Sequence, residues 1–148
     1  HFNRSTSALD PCSQQDYSEK TITPKAFPPM HVFYRPEQVA DTQSISRSAI
    51  KPKLVVEDWQ AQGFALNIYG FEPVHRDDFK LVHADDFVDG VFEGTRFNGF
   101  NNTDPAVAQS LPYTTGSMVA AARFAIENTT IACSPTSGFH HAGPRAAI

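Results

Sequence analysis

Residues 129–143 read Thr-Thr-Ile-Ala-Cys-Ser-Pro-Thr-Ser-Gly-Phe-His-His-Ala-Gly, and this stretch contains the clearest strand and loop signals of the sequence. Residues 129–134 have the composition of a buried strand. A loop follows, in which His140 and His141 stand side by side between two glycines. In open parallel sheets, ligands bind in the crevice outside the carboxyl ends of the strands. The stretch therefore predicts a strand whose following loop brings two imidazoles to such a crevice.

The segments upstream alternate between strand and helix patterns. The predicted elements are strands over residues 31–34, 65–69 and 129–134, and helices over 51–59, from Asp77, over 85–92 and over 115–127. Residues 94–102 contain two glycines among polar side chains and predict a loop. Strands that alternate with helices in this order predict an α/β fold with a parallel sheet.

Several residues mark where the predicted helices begin and end. Gly63 is predicted to cap the first helix, since glycine readily adopts the left-handed conformation found there. Asp104 followed by Pro105 has the pattern of a helix N-cap. We expect the last helix to begin only after Pro112. Its larger apolar residues fall on one side, as in an amphipathic helix: Met118, Val119, Ala122, Ala125 and Ile126.

Size and charge limit the classes of function. The 148 residues are 41% hydrophobic and 19% charged, which is typical of one soluble globular domain. Twelve Lys and Arg against sixteen Asp and Glu give a net charge of −4, which argues against nucleic acid and against an electrostatic membrane anchor as partners. Residues 1–29 are polar and proline-rich, so we expect a mobile N-terminal arm followed by a domain over residues 30–148.

The cysteine content and the length of the apolar runs predict the cellular compartment. Cys12 and Cys133 are far apart, with no metal-ligand spacing around either residue. No apolar run approaches the roughly 20 residues that a membrane span needs, and the first residues lack the regions of a signal peptide. We therefore expect the protein to be located in the reducing cytoplasm.

The histidine pair has two interpretations from the residues alone. Histidine is the side chain best suited to proton transfer near neutral pH, so the pair is a candidate for general acid and base catalysis. A residual tag or an exposed loop pair is the other interpretation. The flanking Gly138 and Gly143 indicate a constrained backbone and favour the first.

Six sequence blocks, in order, resemble the histone deacetylase and acetylpolyamine amidohydrolase superfamily, in particular its bacterial histone deacetylase-like branch. They are Tyr34-Arg35-Pro36-Glu37, Lys51-Pro52 with Val55-Val56-Glu57-Asp58-Trp59, Leu81-Val82-His83-Ala84-Asp85-Asp86-Phe87-Val88, Asn98-Gly99-Phe100, Ser110-Leu111-Pro112-Tyr113-Thr114 and residues 134–143. The resemblance covers about residues 30–143 and implies part of an arginase/deacetylase-like parallel sheet flanked by helices.

The resemblance also implies an activity and roles for five residues. The activity is zinc-dependent hydrolysis of an amide, which removes acetyl or other acyl groups from lysine-like or polyamine amines. His141 would be the general base and acid, and His140 its electrostatic partner beside the oxyanion. Gly138 and Phe139 would form the wall of the acyl-lysine tunnel. Asp104 would hold the substrate backbone at the rim, although its position also suits a helix cap.

The zinc ligands that the resemblance implies, aspartates and a histidine beyond the dyad, are not found in this sequence. After Gly143 it reads Pro144-Arg145-Ala146-Ala147-Ile148. We expect the N-terminal part of a deacylase, inactive alone and completed by its complementary C-terminal half or another copy, or a non-catalytic assembly or interaction protein. A metal-free hydrolase that uses the two histidines is the third possibility. An incomplete sheet leaves open edges, so we expect an oligomer.

Four further residues receive ordinary structural interpretations. His83 and Asp86 lie three apart on a predicted helix and are expected to be a surface pair, or a pair that contacts metal ligands without binding the metal. Tyr34 matches a position beneath the family's active site, but an aromatic residue at a strand end most often belongs to the core. Ser137 lacks the surroundings of a nucleophilic serine.

Overall fold

A computed structural model describes residues 28–41, 47–138 and 142–147. The chain forms strands β1 (Met30–Phe33), β2 (Leu66–Tyr69) and β3 (Ala132–Cys133), and helices α1 (Lys51–Ala61), α2 (Asp85–Phe92) and α3 (Pro105–Asn128). Short 3₁₀ helices span Pro36–Gln38, Arg47–Ile50 and Arg76–Leu81. The predicted arm over residues 1–29 lies outside the described residues, apart from exposed Pro28 and Pro29, and so does Cys12.

The three strands form a parallel sheet in the order β2-β1-β3. Val32 on the central strand lies opposite Ile68 on one side and Cys133 on the other. Since α1 connects β1 to β2 and α3 connects β2 to β3, helices flank an open parallel sheet. The predicted α/β class is confirmed, and the first two strands begin and end within one residue of their predicted bounds.

The third strand is shorter than predicted. Only Ala132 and Cys133 pair with β1, whereas a strand was expected over residues 129–134. Thr129 instead ends α3 in the left-handed conformation, with φ of 48°, and its backbone N–H bonds to the Ala125 and Ile126 carbonyls. Ile131 is 87% exposed. The helix therefore uses residues that the sequence pattern assigned to the strand.

Helix α1 matches its prediction closely. Pro52 lies in the first turn, where its missing N–H breaks no helical hydrogen bond. Gly63 has φ of 78° just after the helix ends, the left-handed conformation for which glycine was predicted there. Val56 faces the interior and is 4% exposed.

Helix α3 begins ten residues earlier than expected and continues through Pro112. Proline inside a helix removes one hydrogen bond and crowds the preceding turn, at a cost of about 3 kcal/mol, which is why the sequence predicted a start after it. The helix also contacts the loop after β2 at this point, because the Val74 backbone N–H donates to the Pro112 carbonyl at 3.1 Å. The helix thus continues through the local helix-breaking signal.

The apolar side predicted for α3 is mostly exposed. Met118 is 56% exposed and Ile126 80%. Small residues pack instead, with Gly116, Ser117 and Ala121 all buried. A Cβ at Gly116 would lie 2.8 Å from the Glu72 carbonyl oxygen, so the helix approaches the loop after β2 too closely for a larger side chain.

The core on the sheet is aromatic. Phe33, Phe71 and Ala121 are buried together, and Tyr69 and Phe124 pack against them. The Phe33 and Tyr69 rings stack with centroids 5.1 Å apart. These contacts join β1, β2 and α3. Within the described ranges, no helix combines the length and the apolar character that a membrane span requires.

Candidate functional site

A cavity of about 390 Å³ opens beyond the carboxyl ends of β2 and β3. Three of its walls come from different parts of the chain. One wall is the loop after β3, through Thr136, Ser137 and Gly138. A second is α3, and the third combines α2 with the 3₁₀ helix before it. Its position is the one predicted for a ligand crevice in an open parallel sheet.

The largest side chains on the helical walls of this cavity are apolar, although Asp78, Thr114 and Thr115 also lie there. Helix α2 contributes Phe87, Val88, Val91 and Phe92. Phe87 and Val91 also pack on Ala108 of α3, so these side chains are held in place by the protein core. A mostly apolar lining with a few polar groups is typical of a site for a small molecule.

The chain before the histidine positions is fixed at Ser134. Ser117 of α3 is fully buried, and its hydroxyl donates to the Phe33 carbonyl at 2.6 Å. The Ser117 and Ser134 hydroxyl oxygens are also 2.6 Å apart. Because the single hydroxyl hydrogen of Ser117 is used on the carbonyl, Ser134 donates to Ser117. We call Phe33, Ser117 and Ser134 the amino-side anchor.

The chain is fixed again on the carboxyl side of the histidines. His83 Nδ1 donates to the Gly143 carbonyl at 2.8 Å, and the Ala84 backbone N–H donates to the Pro144 carbonyl at 2.7 Å. Arg145 Nη1 donates to both carboxylate oxygens of Asp86, at 2.7 and 2.8 Å. We call these six residues the carboxyl-side anchor. The pair that the sequence left as a surface feature, His83 and Asp86, thus holds the segment that follows His141.

The structure describes some of the sequence-predicted site residues and not others. His140, His141 and Phe139 lie outside the described residues, so their side chains are not placed. Gly138 is exposed and lines the cavity, with no atom within 4 Å of the position of a Cβ. Ala142, on the other side of the undescribed positions, lines it too. Both described neighbours of the histidine segment therefore face the cavity.

Asp104 caps α3. Its Oδ1 accepts the Ala106 backbone N–H at 2.8 Å, and its own N–H donates to Asn102 Oδ1 at 3.0 Å. Asp104 is not among the described residues that line the cavity. Asp104 thus occupies the capping position that the sequence offered beside the substrate role.

Two ionisable groups near the strand ends have raised pKa values. Burial, followed by the negative charges of Glu57 and Glu37, raises the pKa of the Tyr34 phenol directly after β1. Burial also raises the pKa of the Cys133 thiol in β3. Both groups therefore stay in their neutral forms at physiological pH.

The described residues do not form a zinc site. Across residues 28–41, 47–138 and 142–147, no group of three or more His, Cys, Asp and Glu side chains is placed to hold a metal ion. A zinc site needs at least three protein ligands. No catalytic step is therefore assigned through a metal held by this part of the chain.

Comparisons with known proteins leave the family open. No family model matches the chain, and no curated protein matches it.

Sequence reasoning did not find the apolar cavity walls or the amino-side anchor. The α2 residues were predicted as a helical stripe, but which neighbour the stripe faces depends on the path of the whole chain. Ser117 gave no signal, because a single serine in a helix usually faces solvent. Its position four residues before the buried Ala121 is the one clue to a face of small residues.

Proposed function

We propose that these residues form the N-terminal part of a zinc-dependent amidohydrolase that removes acetyl or other acyl groups from lysine-like or polyamine amines. The sheet would be part of an arginase/deacetylase-like sheet. One observation carries the proposal: the apolar cavity at the carboxyl ends of the strands is lined by Gly138 and Ala142, the described residues on either side of the histidine segment.

The two anchors support a catalytic role for His140 and His141. Proton transfer requires a general base held within hydrogen-bond reach of the group that it serves. The chain is fixed at Ser134 and again at Gly143, so contacts on both sides of the histidine positions hold the described residues that flank them. In the proposed reaction, His141 takes a proton from the attacking water and gives it to the leaving amine. His140 stabilises the negative charge that develops on the carbonyl oxygen.

The zinc ligands are assigned by this proposal to another polypeptide segment. That segment is the complementary C-terminal half of the domain or another copy of the chain. The unpaired outer edges of β2 and β3, among the described strands, support such an association. The exposed apolar side of α3, from Met118 to Ile126, supports it as well.

The experiment is to purify the protein through a tag on this chain from the cells that make it, and to measure acetate release from an acetyl-lysine peptide. We expect release that a zinc chelator abolishes and that His141→Ala lowers by at least about 100-fold. The matched control is His75→Ala, which removes an exposed histidine. Activity unaffected by His141→Ala would contradict the proposal.

A second candidate is a non-catalytic assembly protein. The observation that favours it is the apolar side of α3, since exposed Met118 and Ile126 are suited to contact another protein. A stable complex without any hydrolysis in the same assay would favour this candidate over the enzyme.

A further inference from the structure

The cavity is too large for an acetyl group alone. Its volume of about 390 Å³ corresponds to about thirteen water molecules at roughly 30 Å³ each. A carbon atom in a chain occupies a similar volume, so the three heavy atoms of an acetyl group would fill about a quarter of the cavity. An eight-carbon acyl group would fill about two thirds of it. The space therefore suits a longer chain.

The lining matches a hydrocarbon chain more closely than a polar ligand. Phe79, Val82, Leu111 and Met118 extend the apolar surface that α2 provides. Val82 and Met118 are 70% and 56% exposed, so a ligand here would cover apolar surface that now faces water. Sites for small molecules commonly join such a lining to a few polar groups that fix orientation.

The polar groups of the lining come from the loops and, on the helical side, from Asp78, Thr114 and Thr115. Thr136 and Ser137 follow β3, and Asn98 lies on the loop before α3. Asn98 Oδ1 accepts the Phe100 N–H at 2.8 Å and its amide donates to Asn102 at 2.7 Å, so its side chain is fixed. A ligand with a polar amide at one end and a hydrocarbon chain at the other matches the polar loop after β3 and the large apolar side chains of α2.

We propose that the cavity binds a straight-chain acyl group of about six to ten carbons, attached through an amide, with the chain against α2 and α3 and the amide towards the loop after β3. This inference rests on the proposed function and narrows its substrate class to medium-chain acyl amides.

The test titrates uncharged N-methyl alkanamides, from acetamide to decanamide, into the purified chain and measures binding by calorimetry. Each buried methylene contributes about 0.8 kcal/mol, so affinity rises roughly fourfold per carbon until the cavity is full. Affinity that is independent of chain length would overturn the inference.

Two pairs of variants locate the binding. Thr114→Phe places a ring in the cavity and shifts the preferred length down by about two to three carbons, whereas Ala122→Phe, on an exposed position of the same helix, leaves it unchanged. Met118→Asn weakens binding about threefold or more, and Val119→Asn, which is beside it but outside the lining, does not. The Met118 variant keeps the test decisive if Thr114→Phe fails to fold. Equal effects in both members of each pair would overturn the inference.

The outcome is separable from that of the proposed function. Length-dependent binding by the chain, without His141-dependent hydrolysis in the tagged protein, would support the acyl cavity and contradict the enzyme. Hydrolysis of acetyl-lysine, without any dependence of binding on chain length in the titration, would support the enzyme and contradict the acyl cavity.

Discussion

The hydroxyl oxygens of Ser117 and Ser134 lie 2.6 Å apart and join the middle of α3 to the first residue after β3. Ser117 also donates to the Phe33 carbonyl at 2.6 Å, so one buried side chain connects a helix to the carboxyl ends of two strands. An unsatisfied buried polar group costs more than the net energy of the bond that it loses. We therefore expect the two serine side chains to contribute unequally to the free energy of unfolding.

We expect Ser117→Ala to lower the free energy of unfolding by about 1–3 kcal/mol, because both the Phe33 carbonyl and the Ser134 hydroxyl lose a partner. Ser134→Ala leaves the bond from Ser117 to Phe33 intact and is expected to cost about 0.5–1.5 kcal/mol. Urea unfolding followed by circular dichroism measures both values. A larger cost for Ser134→Ala would contradict the assigned direction of the hydrogen bonds.

Gly116→Ala is expected to destabilise the fold by about 1–3 kcal/mol, although alanine is the better helix former. The reason is the distance of 2.8 Å from the new Cβ to the Glu72 carbonyl oxygen. Gly70→Ala is the control, since nothing lies within 4 Å of its Cβ position, and it is expected to be neutral or slightly stabilising. Thermal unfolding of both variants tests the close approach of α3 to the loop after β2.

Acid should loosen the contact between α2 and the 3₁₀ helix before it. The hydrogen bond from Lys80, and then that from Arg76, holds the pKa of Asp89 below its ordinary value of 3.8. Because the folded pKa is the lower one, this carboxylate stabilises the fold above pH 3.8, and the contribution disappears as the pH falls through the folded pKa. We expect Asp89→Asn to flatten the acid part of the curve of stability against pH.

Lys80→Gln checks the cause of this pH dependence. It removes the principal partner of Asp89, at 2.9 Å, and is expected to flatten the acid limb as well. The double variant should add little to either single change, since both act on one interaction. Additive effects would mean that another carboxylate causes the acid sensitivity.

In the tagged, active protein, His141→Ala should lower turnover more than His140→Ala. Proton transfer contributes about 100- to 10,000-fold, and a positioned donor beside the oxyanion about 100- to 1,000-fold. Turnover of an acetyl-lysine peptide measures both. Equal activity of both variants and the unmodified protein would make the histidines structural.

The purified chain alone should bind zinc weakly. No group of three metal-binding side chains is placed by the described residues, and the two adjacent histidines do not complete a site. Titration with a fluorescent zinc competitor measures the affinity. One-to-one binding tighter than about micromolar would reveal ligands that neither the sequence nor the described structure identifies.

Local sequence signals predicted the elements whose causes are local. Gly63 ends α1 as predicted, and Asp104 has the N-cap role that its pattern with Pro105 indicated, because both act on backbone groups within a few residues. The start of α3 was predicted wrongly, because Pro112 is a local helix-breaking signal through which the helix continues. The buried side of α3 was missed because hydrophobic periodicity favours large residues, whereas Gly116 and Ser117 pack closely through their small size.

The candidate site depended more on distant contacts than the fold did. The sequence placed the histidines after a strand, and β3 does precede them. The partners of the flanking segments, Ser117 and His83, belong to elements whose positions no local pattern specifies. The proposed roles of His140 and His141 stay predictions, because both residues lie outside the described part of the chain.

The two anchors also bear on the order of folding. Phe33 and Ser117 are 84 residues apart in sequence, and His83 and Gly143 are 60 apart. Contacts between such distant residues form slowly, because the loop-closure entropy is lost before the contact stabilises anything. A ribosome making this chain releases β1, β2 and α2 well before Arg145 emerges to meet Asp86. Until Arg145 emerges, the nascent chain lacks the bonds of the carboxyl-side anchor, so we expect Gly143, Pro144 and Arg145 to dock beside α2 late in folding.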